Sequence, residues 1–117
     1  MRRKPGQLLD LEARILSVMV HGGAAEVHGF ALARSLADQP GAKGLTSHGT
    51  LYKALSRLEV AGALSSRWEE STTAEHEGRP RRRLYRVTAE GRAALRTHVA
   101  AQPDTRRPPG ELGIQWR

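Results

Sequence analysis

T-S-H-G-T-L-Y-K-A-L-S-R-L-E-V-A-G-A-L, from Thr46 to Leu64, reads as one short helix with both ends written into the sequence. Thr46 and Ser47 are cap residues, whose side-chain oxygens accept from the unpaired N–H groups of a first turn. Gly62 stands where a helix can close in a left-handed residue. Leu51, Leu55 and Leu58 keep the i, i+4, i+7 spacing of a buried stripe, with Ala54 and Ala61 beside it. The opposite side carries Gly49, Thr50, Lys53, Ser56 and Arg57 with no acid among them, and Glu59 lies toward the flank. Such a face can bond phosphates and base edges. Taken alone it describes any amphipathic helix with a solvated side, so the next stretch decides.

After Gly62 the period changes. Leu64, Ser66, Trp68 and Glu70 alternate with Ala63, Ser65, Arg67 and Glu69, a strand pattern. Ser71 to Gly78 is a polar loop, and a second strand follows from Arg82 to Val87 with Tyr85 and Val87 on one face. The returning limb of this hairpin carries Arg79, Arg81, Arg82, Arg83 and Arg86. A cationic helix followed by a basic ribbon is what a duplex binder needs, one for the major groove and one for the flanking backbone. Three arginines are consecutive, so a strand must point them to both sides.

Upstream, Asp10 has the character of an N-cap, and Leu11, Ile15, Val18 and Met19 form the stripe of a first helix that ends near His21. A second helix begins between Val27 and Gly29 and runs to about Asp38, with Phe30, Leu32, Ala33 and Leu36 as its apolar members. Downstream, Thr88 caps a last helix that ends near Ala101, carrying Ala93, Ala94, Leu95 and Val99. The expected architecture is mainly α with a small β-hairpin. It is a winged helix-turn-helix of three helices and a two-stranded wing, then a C-terminal helix. Residues 1–7 read as a flexible basic arm, 8–101 as the winged-helix domain and 102–117 as a mobile tail.

Composition agrees with a polyanionic partner. In 117 residues, 19 Lys and Arg oppose 12 Asp and Glu, for a formal charge of +7; the pI is near 11.0. No cysteine means no disulfide, thiol catalysis or zinc-finger chemistry. No apolar run approaches the roughly 20 residues of a membrane span, and the basic N-terminus predicts no secretory signal. The cytoplasm is the expected address. His21, His28, His48, His76 and His98 show no metal-ligand spacing, and His76 with Glu75 and Glu77 is only a loose cluster. No nucleophile has an identifiable base, so neither an enzyme nor a cofactor is expected.

The order of motifs resembles the PadR-like winged-helix transcriptional regulators. The residues that carry it are His28-Gly29-Phe30, G-T-L-Y-K-A-L-S-R-L-E (Gly49 to Glu59), Gly62, S-S-R-W-E-E (Ser65 to Glu70) and G-R-P-R-R-R-L-Y-R-V-T-A-E-G (Gly78 to Gly91). The likeness spans about residues 8 to 100. It departs at Phe30, where tyrosine is usual, and in a C-terminal region of the short type without a separate dimerisation domain. The resemblance implies a dimeric repressor whose third helix enters the major groove, whose wing touches the backbone, and whose last helix pairs two protomers.

The residues expected to meet double-stranded DNA are Ser47, His48, Gly49, Thr50, Tyr52, Lys53 and Arg57 on the helix, and Arg79, Arg81, Arg82 and Arg83 on the wing. Ser47 is a cap first and a contact second. Tyr52 either reaches a phosphate or packs with its hydroxyl outward, and its position favours neither. Trp68 is expected to cover the hairpin base, and His28 to be a buried, hydrogen-bonded tie between helices. Leu8, Leu11, Leu95 and Val99 exceed what a three-helix core requires and are expected to form a homodimer contact. Release by a small molecule or partner would act by changing the spacing of the two reading helices. One rival is a winged helix whose basic wing binds an acidic protein. Another is a small basic enzyme or RNA-binding domain, weakened by aromatics at only 4% of residues, since single-strand recognition relies on stacking.

Overall fold

The structure, a computed structural model, describes residues 8–40, 42, 44 and 46–102. The expected arm (1–7) and all but the first residue of the expected tail (102–117) lie outside the described residues.

Helix α1 (Asp10–His21) buries Ala13, Ile15, Leu16 and Met19. Its cap is Leu9, one residue earlier than expected, with Asp10 already helical. Leucine offers no acceptor, so only half of a capping box exists: the Leu9 N–H donates to Oε1 of Glu12 at 3.1 Å. Leu16 is fully buried, while Leu11 and Val18 pack at the edge of the core.

A two-residue strand β1 (Val27–His28) precedes α2 (Gly29–Ala37). Two residues cannot display alternation, so the sequence reading assigned them to the start of the helix. His28 caps α2, its Nδ1 accepting from the Ala31 N–H at 3.4 Å, and is only half-buried. Leu32 and Leu36 face the core. Phe30 lies two residues from Leu32, roughly 200° around the helix. It is 65% exposed and not a core member; the Arg34 guanidinium stands 6.0 Å from its ring.

Helix α3 (His48–Val60) buries Leu51, Ala54, Leu55 and Leu58, the expected stripe. Ser47 is its cap, accepting from the Thr50 N–H at 3.3 Å. At the other end Gly62 adopts φ +85. The Gly62 N–H donates to Glu59 O at 3.0 Å and the Ala63 N–H to Leu58 O at 2.9 Å. This is a Schellman closure, and the left-handed residue it requires explains the glycine.

Strands β2 (Leu64–Trp68) and β3 (Arg83–Val87) form the hairpin. They pair antiparallel from Leu64↔Val87 to Trp68↔Arg83. β1 adds to the other side of β3 through Val27↔Tyr85 and His28↔Leu84, giving the order β1-β3-β2. Between β2 and β3 the expected polar loop contains a short helix, α4 (Ser71–His76), anchored by buried Ala74.

Helix α5 (Ala89–Ala101) starts at Thr88, whose Oγ1 accepts from the Gly91 N–H at 3.0 Å and donates to Gly62 O at 2.6 Å. Thr88 thus joins the end of α3 to the start of α5. Gly91 is buried, and a Cβ there would overlap the Ala63 carbonyl oxygen. That close approach is why the last motif ends in glycine.

Candidate nucleic-acid interface

The burial of Leu51, Leu55 and Leu58 turns the other side of α3 outward, and Ser47, His48, Gly49, Thr50, Lys53, Ser56 and Arg57 are all exposed. Around Gly49 nothing lies within 4 Å of where a Cβ would stand. No internal packing demands this glycine, and its surface is open to close approach by a partner. The Ser47 hydroxyl donates to Thr50 Oγ1 at 2.8 Å, so the first turn is internally knitted.

Tyr52 packs, but with its hydroxyl against α2 at Gly29 rather than outward. It is half-buried, and its phenol fills the space a Cβ at Gly29 would need. The His48 ring lies 4.4 Å from it at a tilt of 39°. Gly29 of the first motif and Tyr52 of the second are therefore one contact, joining α2 to α3.

Arg57 is anchored rather than loose. Its Nε donates to Oε2 of Glu12 at 2.8 Å. The Arg57 side chain stays 42% exposed while that of Glu12 is 2% exposed. Glu12 is one of two acids in the first turn of α1. Its burial has no local signal, because the arginine it meets on α3 lies 45 residues away.

The wing arginines differ sharply from one another. Arg79 is 18% exposed and forms a fork with Glu69, NH1 to Oε1 at 2.6 Å and NH2 to Oε2 at 2.8 Å, while its Nε reaches Glu77 at 2.8 Å. It braces the wing, with all three guanidinium nitrogens bonded to carboxylates. The hydrogen bond from Arg79 holds the Glu69 carboxyl down at about 2, aided by the Arg82 N–H at 3.2 Å. Arg81 donates from Nε to Glu69 O at 3.0 Å. Arg83 donates to Ser66 Oγ at 3.1 Å and lies 3.6 Å from Glu59. The side chains of Arg82 and Arg86 make no hydrogen bond or ion pair with a described residue.

Glu59 accepts from the Ser66 hydroxyl as well. One carboxylate on α3 thus gathers a residue from each strand of the wing. Trp68 does not cover the hairpin base. It stands at the outer end of β2, 52% exposed, with the Arg81 and Arg83 guanidiniums 5.9 and 5.2 Å from its ring.

Of the expected dimer residues, Leu95 is 7% exposed and belongs to the monomer core, Leu8 and Leu11 are half-buried against it, and Val99 is 62% exposed. Val20, Leu95 and Val99 line a groove of about 610 Å³ between α1 and α5. Among the described residues no group of three His, Cys, Asp or Glu could hold a metal. No described helix is long and apolar enough to cross a membrane.

The family model for the transcriptional regulator PadR-like family matches residues 15–97. A PadR family transcriptional regulator from Eggerthella lenta DSM 2243 is 32% identical, the match covering 77% of this chain and 69% of that one, with a TM-score of 0.60. A PadR-like transcription factor from Bacteroides fragilis is 28% identical over 78% of each chain, TM-score 0.62. Bacillus subtilis PadR, solved in complex with operator DNA, is 20% identical over 91% of this chain and 56% of its own, TM-score 0.63, and shares the fold. A search of curated proteins found no match. The winged helix described above, with its glycine-closed α3 and its capped α5, belongs to the PadR-like family of transcriptional regulators.

Proposed function

We propose that this regulator binds operator DNA as a two-fold dimer and represses by occupying a promoter, with α3 in the major groove and the wing on the neighbouring backbone. The observation that carries the reading is Glu59, which joins α3 to Ser66 and Arg83 of the wing. Helix and ribbon are thereby held in one orientation, as simultaneous contact with two parts of a duplex requires.

Within this reading His48, Gly49, Thr50, Lys53 and Arg57 approach base edges and phosphates, with Ser47 at the helix start. Arg81, Arg82 and Arg83 approach the backbone, while Tyr52 and Arg79 hold the two elements in shape. The relative from B. subtilis, bound to operator DNA, supports the same partner. A second copy would meet the α1–α5 side through Val99 with Leu8 and Leu11. A small molecule or partner that changed the spacing of two α3 helices would release the operator.

Purified protein should select discrete fragments from its host's own DNA. Salt titration on a selected fragment and on a random duplex then separates the two contributions. Affinity for both falls by about 0.9 log units per log unit of salt for each phosphate contact, while the selected fragment keeps a surplus. Equal affinity for both duplexes at every salt concentration would remove the operator reading and leave the acidic-protein alternative.

A further inference from the structure

Trp68, Ser66 and Leu64 share one face of β2, and their partners Arg83, Tyr85 and Val87 share it on β3. Leu64 and Tyr85 are buried on that face. The strand runs on until Trp68 stands in solvent, half of its surface uncovered. Arg83 is held by Ser66 and Glu59 and Arg81 by the Glu69 carbonyl, and their guanidiniums stand 5.2 and 5.9 Å from the indole ring. A large apolar ring at the outer end of the wing is thus flanked by two anchored cations.

A partner that covers this patch must offer an apolar surface between negative charges. The sugar edge of a duplex does so, because deoxyribose C–H groups lie between successive phosphates. An acidic protein would present its charges on long side chains without that regular apolar strip. We propose that Trp68 packs on the sugar wall of the minor groove next to the α3 site, with Arg81 and Arg83 on the phosphates to either side. This rests on the DNA-binding reading above and adds a residue to it.

The test uses the full chain with Trp116→Phe, which leaves Trp68 as the one tryptophan. Acrylamide quenching of its emission is measured free and with saturating random duplex at low salt. The expected result is a severalfold fall in quenching on binding. Trp68→Ala is expected to weaken binding to selected and random duplex alike, by about tenfold. Its salt slope should match the parent's, since no phosphate contact is lost. Equal quenching in the free and bound states overturns the proposal, and because it is read without replacing Trp68, misfolding cannot excuse it. A flattened slope in Trp68→Ala overturns it too, since the indole would then act only by holding the arginines. If operator preference persists in either case, the DNA-binding reading stands and only the Trp68 contact falls. A protein that binds no duplex removes both.

Discussion

The Nε–H of Arg57 donates to Oε2 of Glu12 at 2.8 Å while the other oxygen of the same carboxylate receives the Leu9 N–H at 3.1 Å. One buried acid therefore caps α1 and fixes a side chain on the exposed face of α3. With Nε committed, the two terminal nitrogens of Arg57 are the edge that remains for a guanine or a phosphate.

Arg57→Ala should consequently do two things at once. Removing a partner from a buried carboxylate costs about 1–3 kcal/mol of stability, visible as a lower melting temperature. If the terminal nitrogens read a base, discrimination between operator and random duplex also falls by about 1–3 kcal/mol. Arg57→Lys restores charge but lacks the planar fork and should recover neither fully. Melts and both affinities at one salt concentration resolve the two effects. A lowered melt with an unchanged affinity ratio would make Arg57 a strut alone and shift the reading to Thr50 and Lys53.

The Glu69–Arg79 fork sets an acid limit on the wing. The folded carboxyl is held at about 2, below the unfolded value of about 4.3. Its contribution is therefore present above the unfolded value and lost as pH falls through the window down to about 2. The parent and Glu69→Gln should differ most in stability near neutrality and converge as that window is crossed. Urea unfolding at stepped pH checks it, and a gap independent of pH would contradict it.

His28 works in a higher window and through a different cause. Burial first, then the nearby Arg82 and Arg79, pushes its imidazole below the ordinary value, and Nδ1 must stay unprotonated to accept from Ala31. A lowered folded value means that the unfolded chain takes the proton first. Stability contributed by neutral His28 is whole above about 6.5 and declines as pH falls below it, until the folded imidazole itself titrates. His28→Asn keeps a capping acceptor and should flatten this part of the profile. Thermal melts between neutral and mildly acid pH report it.

Much of the fold is legible in the sequence because its signals are local. The Leu51–Leu55–Leu58 stripe, the Ser47 and Thr88 caps and the Gly62 closure each need only a few neighbouring residues. The features that escaped depend on distant partners. β1 exists only because β3 lies beside it, and Glu12 in its burial meets Arg57 from 45 residues away. Phe30 faces solvent because Leu32 and Leu36 take the core side. Charge counting made the wing arginines equivalent, whereas Glu69 and Glu77 engage Arg79 and the Arg82 side chain pairs with no acid among the described residues. Sequence reading located the face of α3 but could not say which of its cations were already held.

Two motif glycines respond to different neighbours. A methyl at Gly91 meets the backbone carbonyl of Ala63, which cannot move without shifting β2. Gly91→Ala should destabilise by about 1–3 kcal/mol or more. A methyl at Gly29 meets the outer end of the Tyr52 ring, which can swing aside at smaller cost. The loss from Gly29→Ala should shrink in a Tyr52→Leu background, whereas the loss from Gly91→Ala should not. Chemical denaturation of the six proteins decides it, and equal losses in both backgrounds for Gly29 would refute the pairing.

Leu95 and Val99 lie four apart on α5, yet the fold gives them different tasks. Leu95 is 7% exposed inside the core, and Val99 is 62% exposed on the rim of the α1–α5 groove. A charge at Leu95 must enter an apolar interior, so Leu95→Glu should unfold the monomer and says little about assembly. Val99→Glu leaves the core intact and places its charge on the surface proposed for the second copy. The expected outcome is a melting temperature near the parent's at low concentration, a shift from dimer to monomer in sedimentation at micromolar concentration, and a loss of operator affinity. Affinity falls because two half-site readers about 34–36 Å apart contribute together only while linked. Random-duplex binding per protomer should change far less. If Val99→Glu sediments as the parent does and keeps its operator affinity, pairing through α5 is refuted and any dimer must use another face.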